Sequence, residues 1–248
     1  MSADDVRAGD PWLPVEWREE VDSTNAVLVA DPRAWRVLVA ERQTAGRGRM
    51  ARRWVTTPGQ GLAVSVVVPA EGMPLGWLPL VAGLALATAI RQSGGVDAVL
   101  KWPNDVLLPA DGDRKVAGLL CEWTPTGVVI GLGVNVAQGR EDLPLDTATS
   151  VRVAGGDVTR EALLTAYLRR LAELVELLRR DPAQVRHSYA AACASLGRRV
   201  RVELPGESMV GRAAAVDVDG RLVLTTPAGE RAVTAGDVVH VRGVDDRA

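Results

Sequence analysis

Phenylalanine is absent from the 248 residues, and isoleucine occurs only at positions 90 and 130. Of the 29 basic residues, all but Lys101 and Lys115 are arginine. Ala, Val, Gly and Arg take their place throughout, a pattern that nucleotide bias in the source genome produces. A single Arg therefore carries little information, whereas each Lys stands out. Cysteine is limited to Cys121 and Cys193, with no second Cys or His at ligand spacing, which argues against a zinc site and a disulfide framework. No excess of positive charge is present: the formal net charge is −2. Nucleic-acid binding through bulk electrostatics is therefore disfavoured, and only a local basic patch is left open. The acidic start, residues 1–10, lacks the apolar core of a signal peptide. The most apolar stretch, 75–90, is shorter than a spanning helix and contains Gly76, Pro79 and Gly83, so a buried helix is expected, no membrane partner, and a cytoplasmic protein.

What is present fits a soluble globular chain, 47% hydrophobic and 24% charged. Residues 1–16 are expected to be a flexible lead-in, with the remainder of 1–195 a catalytic domain. Asp22, Ser23 or Thr24 can cap a short helix through Ala30. Buried strands are predicted over 35–40 and 61–68, and a heavily packed helix over 78–93, ended by Gly94-Gly95. Short strands follow at 98–102 and 106–108. A hairpin pairs 115–123 with 127–136 across Thr124-Pro125-Thr126-Gly127. Thr159 caps a helix through Arg180, whose apolar residues recur at i, i+3, i+4 and i+7, and a second helix spans 183–194. From about residue 196 five short strands with tight turns predict a small barrel.

Four segments can carry chemistry. Gly46-Arg-Gly-Arg-Met-Ala-Arg-Arg-Trp54 combines backbone freedom at Gly46 and Gly48 with guanidinium forks at Arg47 and Arg49 and a flat face at Trp54. That combination suits an anionic ligand with an aromatic part, such as a nucleotide. Taken alone, a solvated arginine–glycine patch fits equally. Lys101-Trp-Pro-Asn-Asp105 places Asn104 and Asp105 after a strand, where an Asx turn is the plain alternative to a polar or magnesium contact. Lys115 opens a strand with a compact, mobile charge; a surface Lys at a strand end is the plain alternative, against which the scarcity of Lys argues modestly. Gly131-Leu-Gly-Val-Asn135 weakens its strand unless a ligand or another backbone comes close; a β-bulge accounts for it as well.

Together these segments, in this order and with Ser23-Thr-Asn25 before them, make the chain resemble the biotin–protein ligases over about residues 17–242. The resemblance implies an α/β (α+β) fold: a class II synthetase-like catalytic domain with a mixed sheet and a small C-terminal barrel of the SH3-like kind. It implies an ATP-dependent enzyme that forms biotinyl-5′-AMP with Mg2+ and passes biotin to a lysine of a biotin carboxyl carrier protein domain. By the same resemblance Ser23, Thr24, Asn25 and Gln43 contact biotin, and Arg47, Gly48 and Arg49 contact biotin or the adenylate. Lys115 reaches the biotin carboxylate and the phosphate, with Arg47 and Arg49 beside it in catalysis. Gly46, Trp54, Asn104, Asp105 and Asn135 belong to the nucleotide side, Trp54 and Asn135 holding the adenine. Ala51 departs from the Gly of many relatives. The lead-in has no room for a DNA-binding domain, so no DNA partner is expected. A lipoate–protein ligase is the alternative enzyme. A nucleic-acid module using the arginine loop and barrel is the alternative of another class, disfavoured by the near-neutral charge.

Overall fold

The computed structural model describes residue 6 and residues 9–204, 206–234 and 236–240. Seven strands, β1 (Glu16–Val21), β2 (Val37–Gln43), β3 (Gly61–Pro69), β4 (Val99–Lys101), β5 (Asp105–Leu108), β6 (Arg114–Thr124) and β7 (Gly127–Asn135), form one sheet in the order β1-β2-β3-β7-β6-β5-β4. β1 and β2 are parallel and the other neighbours antiparallel. The runs with little alternation are the central strands: β7 is buried throughout and β3 up to Val68. Both faces of these strands are covered, which is why the period-2 signal is weak there.

One face carries α2 (Leu78–Ala89), with α3 (Arg160–Arg180) and α4 (Pro182–Ala192) packed against it. The stretch Leu75–Gly94 is long and apolar enough to cross a membrane, but ten of the twelve α2 residues are buried between the sheet and α3. Such a helix is apolar all round because it has no solvent face. α3 starts where Thr159 Oγ1 accepts the Ala162 N–H at 3.1 Å, and its eight-residue stripe from Leu163 to Leu178 is buried. Each of those large side chains contributes roughly 1.5–3 kcal/mol of apolar burial before entropy is counted. On the opposite face α1 (Thr24–Ala30) seats Leu28 against Leu38, Val67 and Val129.

The C-terminal strands β8 (Arg199–Leu204), β9 (Glu207–Val216), β10 (Leu222–Thr226), β11 (Gly229–Val233) and β12 (Asp237–His240) form an antiparallel sheet ordered β11-β10-β9-β8-β12. Its inward Val200, Val202, Leu222 and Leu224 join the main core. Two indoles pin it. Trp77 Nε1 donates to the carbonyls of Asp217 and Val218, both at 3.1 Å, and Trp102 Nε1 donates to the Gly220 carbonyl at 3.1 Å. Trp102, inside the Lys101–Asp105 segment, thus holds the β9–β10 turn.

Three sequence expectations change. The lead-in is packed in its described part: Trp12 is buried, donates Nε1 to the Leu168 carbonyl at 2.9 Å, and meets Trp35 edge-on. β1 was not foreseen, because its alternation is hidden by charges on an edge strand. β2 begins at Val37 rather than Trp35, since Trp35 has φ 65°, outside the strand region. It continues to Gln43, three residues beyond the expected end at 40.

Candidate active site

The carboxyl end of β2, the following loop, the start of α1 and the facing surfaces of β6 and β7 enclose a cleft of about 190 Å3. Every site residue that the resemblance implies lines it except Gly46, whose carbonyl accepts the Trp54 N–H at 3.0 Å; Lys101 does not line it either. β7 runs through Gly131 and Gly133 in regular register with β6 and β3, so the bulge alternative does not hold. Both glycines are needed for close approach. A Cβ on Gly131 would overlap Asn25 Oδ1, and one on Gly133 would overlap the Trp54 ring.

At one end of the cleft, α1 begins with Ser23 as N-cap. Gln43 Oε1 accepts the Thr24 N–H at 2.9 Å, which leaves Gln43 Nε2 available as a donor. Asn25 lines the cleft, but its amide is occupied by protein. Nδ2 donates to Glu122 Oε2 at 2.7 Å and to the Leu120 carbonyl at 3.2 Å, and Oδ1 meets Ser65 Oγ at 2.6 Å. Ser65 Oγ also lies 2.7 Å from Thr24 Oγ1.

The arginine loop closes on itself: Gly48 N–H donates to the Arg52 carbonyl at 2.7 Å, and Arg47 bridges Arg53. Arg47 Nη2 is 3.5 Å from Glu122. Arg49 Nη1 donates to Asn104 Oδ1 and to the Gly236 carbonyl, both at 3.1 Å. Arg52 pairs with Asp237. Burial pushes the Arg49 guanidinium below its ordinary value, with Asp237 and Asp105 opposing that; an arginine stays charged regardless. The Trp54 ring lies on Gly133, with Lys115 Nζ 5.9 Å from its centroid.

Asp105 receives both lysines of the chain, Lys115 Nζ at 2.6 Å and Lys101 Nζ at 4.0 Å. Asn104 is no free Asx turn: Nδ2 donates to the Leu119 carbonyl at 2.9 Å, which leaves Oδ1 for Arg49. Asn135 Nδ2 donates to the buried Thr149 carbonyl at 2.9 Å, fixing its amide orientation.

Three residues of the site went unforeseen. Ser65 breaks the apolar run 62–68 and Glu122 the run 119–123; each lone polar residue was a usable signal. Asp237 meets Arg52 across 185 positions, and nothing local in the sequence announces such a contact.

Residues 17–135 match the family model described as biotin/lipoate A/B protein ligase, and residues 195–241 match that of the biotin protein ligase C-terminal domain. The biotin–[acetyl-CoA-carboxylase] ligase of Mycobacterium tuberculosis is 37% identical over 249 aligned positions, spanning 96% of this chain and 92% of that protein. The enzyme of the same name from Paracoccus denitrificans is 32% identical, spanning 88% of this chain and 96% of that one. The structure of the Aquifex aeolicus biotin protein ligase in complex with biotin and ATP matches with a TM-score of 0.79 at 29% identity, over 92% of this chain and 99% of that chain. With both domains matched in sequence and in fold, the chain belongs to the biotin protein ligases of the biotin/lipoate A/B protein ligase family.

Proposed function

We infer that the protein activates biotin with ATP as biotinyl-5′-AMP and passes the biotinyl group to a lysine of a biotin carboxyl carrier protein, the partner implied by the acetyl-CoA-carboxylase in its relatives' name. The observation that carries the roles is the division of the cleft. One end offers uncharged hydrogen-bonding groups at Ser23, Thr24 and Gln43. The other offers Arg47, Arg49 and Lys115 beside an aromatic face.

The first step joins two anions. A biotin carboxylate oxygen attacks the α-phosphorus of ATP, forming the acyl-phosphate bond as the bond to pyrophosphate breaks. Arg47, Arg49 and Lys115 offset the charge brought together there, and the amount by which they do so more strongly in the transition state lowers the barrier. Trp54 and Asn135 hold the adenine by stacking and through the fixed amide. In the second step the neutral lysine amine of the carrier attacks the acyl carbon, AMP departs with the bonding pair, and the amine proton passes to solvent. The loop over the cleft keeps water from taking the acyl group first.

Magnesium is the cofactor this chemistry calls for. Among the described residues no group of three His, Cys, Asp or Glu gathers. Asp105 and Asn104 are the oxygen donors at the charged end, a sparse set that fits an ion held mainly by ATP phosphates. When bound, the ion supplies further neutralisation of phosphate charge. We place the reaction in the cytoplasm, where ATP and carrier protein meet. The test is ATP–pyrophosphate exchange with biotin, with lipoate and with neither. Exchange that depends on biotin is expected; exchange driven by lipoate instead would overturn the assignment.

A further inference from the structure

The groups at the uncharged end of the cleft form a continuous relay. It runs from Gln43 to Thr24, Ser65, Asn25 and Glu122, and ends at Arg47 of the loop. Ser65 is fully buried on β3, Thr24 and Asn25 are 4% exposed, and Glu122 stands behind the cleft wall without lining it.

The direction of the relay follows from proton counting. A carboxylate only accepts, so Asn25 must turn Nδ2 toward Glu122, and its second Nδ2 proton serves the Leu120 carbonyl. Oδ1 is then the atom facing Ser65, and the 2.6 Å contact requires the Ser65 proton. With that proton committed, the 2.7 Å contact between Ser65 and Thr24 requires the Thr24 proton. Thr24 Oγ1 also lies 3.1 Å from Gln43 Oε1; two hydroxyl protons serve three oxygen–oxygen contacts, so this longest one goes without, and Oγ1 keeps a lone pair for the cleft. Gln43, whose Oε1 is fixed by the Thr24 N–H, is left with Nε2. The cleft thus presents one acceptor next to one donor, the complement of an N–H beside a C=O in a cyclic urea.

We propose that Glu122 is a positioning residue that sets this donor–acceptor polarity and ties it to the loop through Arg47, so that ureido recognition and loop placement depend on one carboxylate. The proposal rests on biotin being the acid activated. Glu122 touches neither reacting atom and acts through Asn25 and Arg47.

A glutamine at 122 can present its NH2 to Asn25 and so reverse the relay, while keeping size and packing. Steady-state exchange kinetics on Glu122→Gln, Ser65→Ala and the double variant, with thermal melts, test the idea. Glu122→Gln is expected to raise the biotin KM about tenfold or more, with the ATP KM changed far less. Ser65→Ala, which interrupts the same chain, should do likewise. The double variant should lose little beyond the worse single variant, as members of one network do. Trypsin should also cut faster after Arg47 in Glu122→Gln. An unchanged biotin KM in Glu122→Gln overturns the relay, as do fully additive losses. Equal rises in both KM values with a large drop in melting temperature assign Glu122 to packing and overturn it too. Absence of biotin-dependent exchange in the unaltered protein overturns the ligase reading itself and is recognised by that control alone.

Discussion

Lys115 Nζ lies 2.6 Å from Asp105 Oδ1. The same carboxylate draws in Lys101 at 4.0 Å, so the two lysines of an otherwise arginine-based chain converge on one acidic group. A compact ammonium on a flexible stem can leave such a partner for a ligand oxygen and return, which a guanidinium fork does less readily.

The first prediction follows from that pair. Lys115→Ala should slow single-turnover adenylate formation about 10²–10³-fold, the loss typical of removing a donor aimed at developing charge. Lys115→Arg should recover only part. Stability should change by no more than about 1 kcal/mol, because the pair is partly solvated and Asp105 keeps Lys101. Near-normal adenylation in Lys115→Ala would take Lys115 out of the reaction.

A second prediction concerns the contact between loop and barrel. Arg52 pairs with Asp237, and Arg49 reaches the adjacent Gly236 carbonyl. The Arg52 side chain is 61% exposed, so Asp237→Asn should cost about 0.2–1 kcal/mol of global stability. The local effect should be larger: cleavage by trypsin within residues 47–53 should accelerate several-fold, and high salt should produce the same acceleration in the unaltered protein. Identical cleavage with and without the substitution would show that the barrel does not restrain the loop.

The third prediction concerns β7. Gly131→Ala sets a methyl against Asn25, whose amide is held by partners on three sides, and should lower stability by about 1–3 kcal/mol while raising the biotin KM. Gly133→Ala meets only the Trp54 ring, which can swing out with the loop. It should melt near normally and raise the ATP KM. Comparing melts and KM values of the two variants decides; the same phenotype in both would mean that the glycines serve the strand rather than its two neighbours.

The glycines also show how far the sequence could be read. Gly131 and Gly133 were recognisable as sites of close approach, and the strands, the helix stripe on α3 and the five-stranded barrel followed from periodicity and turn residues. What approaches the glycines was not recognisable, because Asn25 and Trp54 lie about 80 to 110 positions away. Asn25 was expected to contact the ligand; it lines the cleft, and its amide also supports the wall through Ser65, Leu120 and Glu122. Motif residues reveal which types gather, but the hydrogen-bond census that separates a contact from its support exists only in three dimensions. The same holds for Trp102, whose indole serves the barrel turn rather than the cleft.

The last prediction is a pH dependence located at the domain junction. His240, on the final described strand, sets Nε2 3.0 Å from Ser195 Oγ and Nδ1 3.3 Å from Arg198 Nη1. Burial, then the positive charges of Arg198 and Lys101, hold its pKa down to about 4, with Asp113 opposing. In the unfolded chain the ring titrates near 6.5, so between these values the unfolded state binds more protons than the folded one. The stability contributed by keeping His240 neutral is therefore whole above about pH 6.5, declines as pH falls through the window, and has gone below about 4. Glu41, held below its ordinary range chiefly by its hydrogen bond to Arg160, loses its contribution lower, from about 4.5 downward. At Asp111 and Asp217 burial opposes ionisation but is outweighed, by Arg140, Thr149 and Arg114 at the first and by Arg221 and backbone N–H groups at the second, so these begin to lose their contribution only near 3.8. Melting temperature should consequently fall between pH 6.5 and 4.5 before the carboxylates contribute. His240→Gln, which retains a partner for Ser195 but does not titrate, should flatten that part of the curve and leave the steeper acid limb in place. If the variant and the unaltered protein decline in parallel from pH 6.5 to 4.5, the junction does not hold a neutral imidazole.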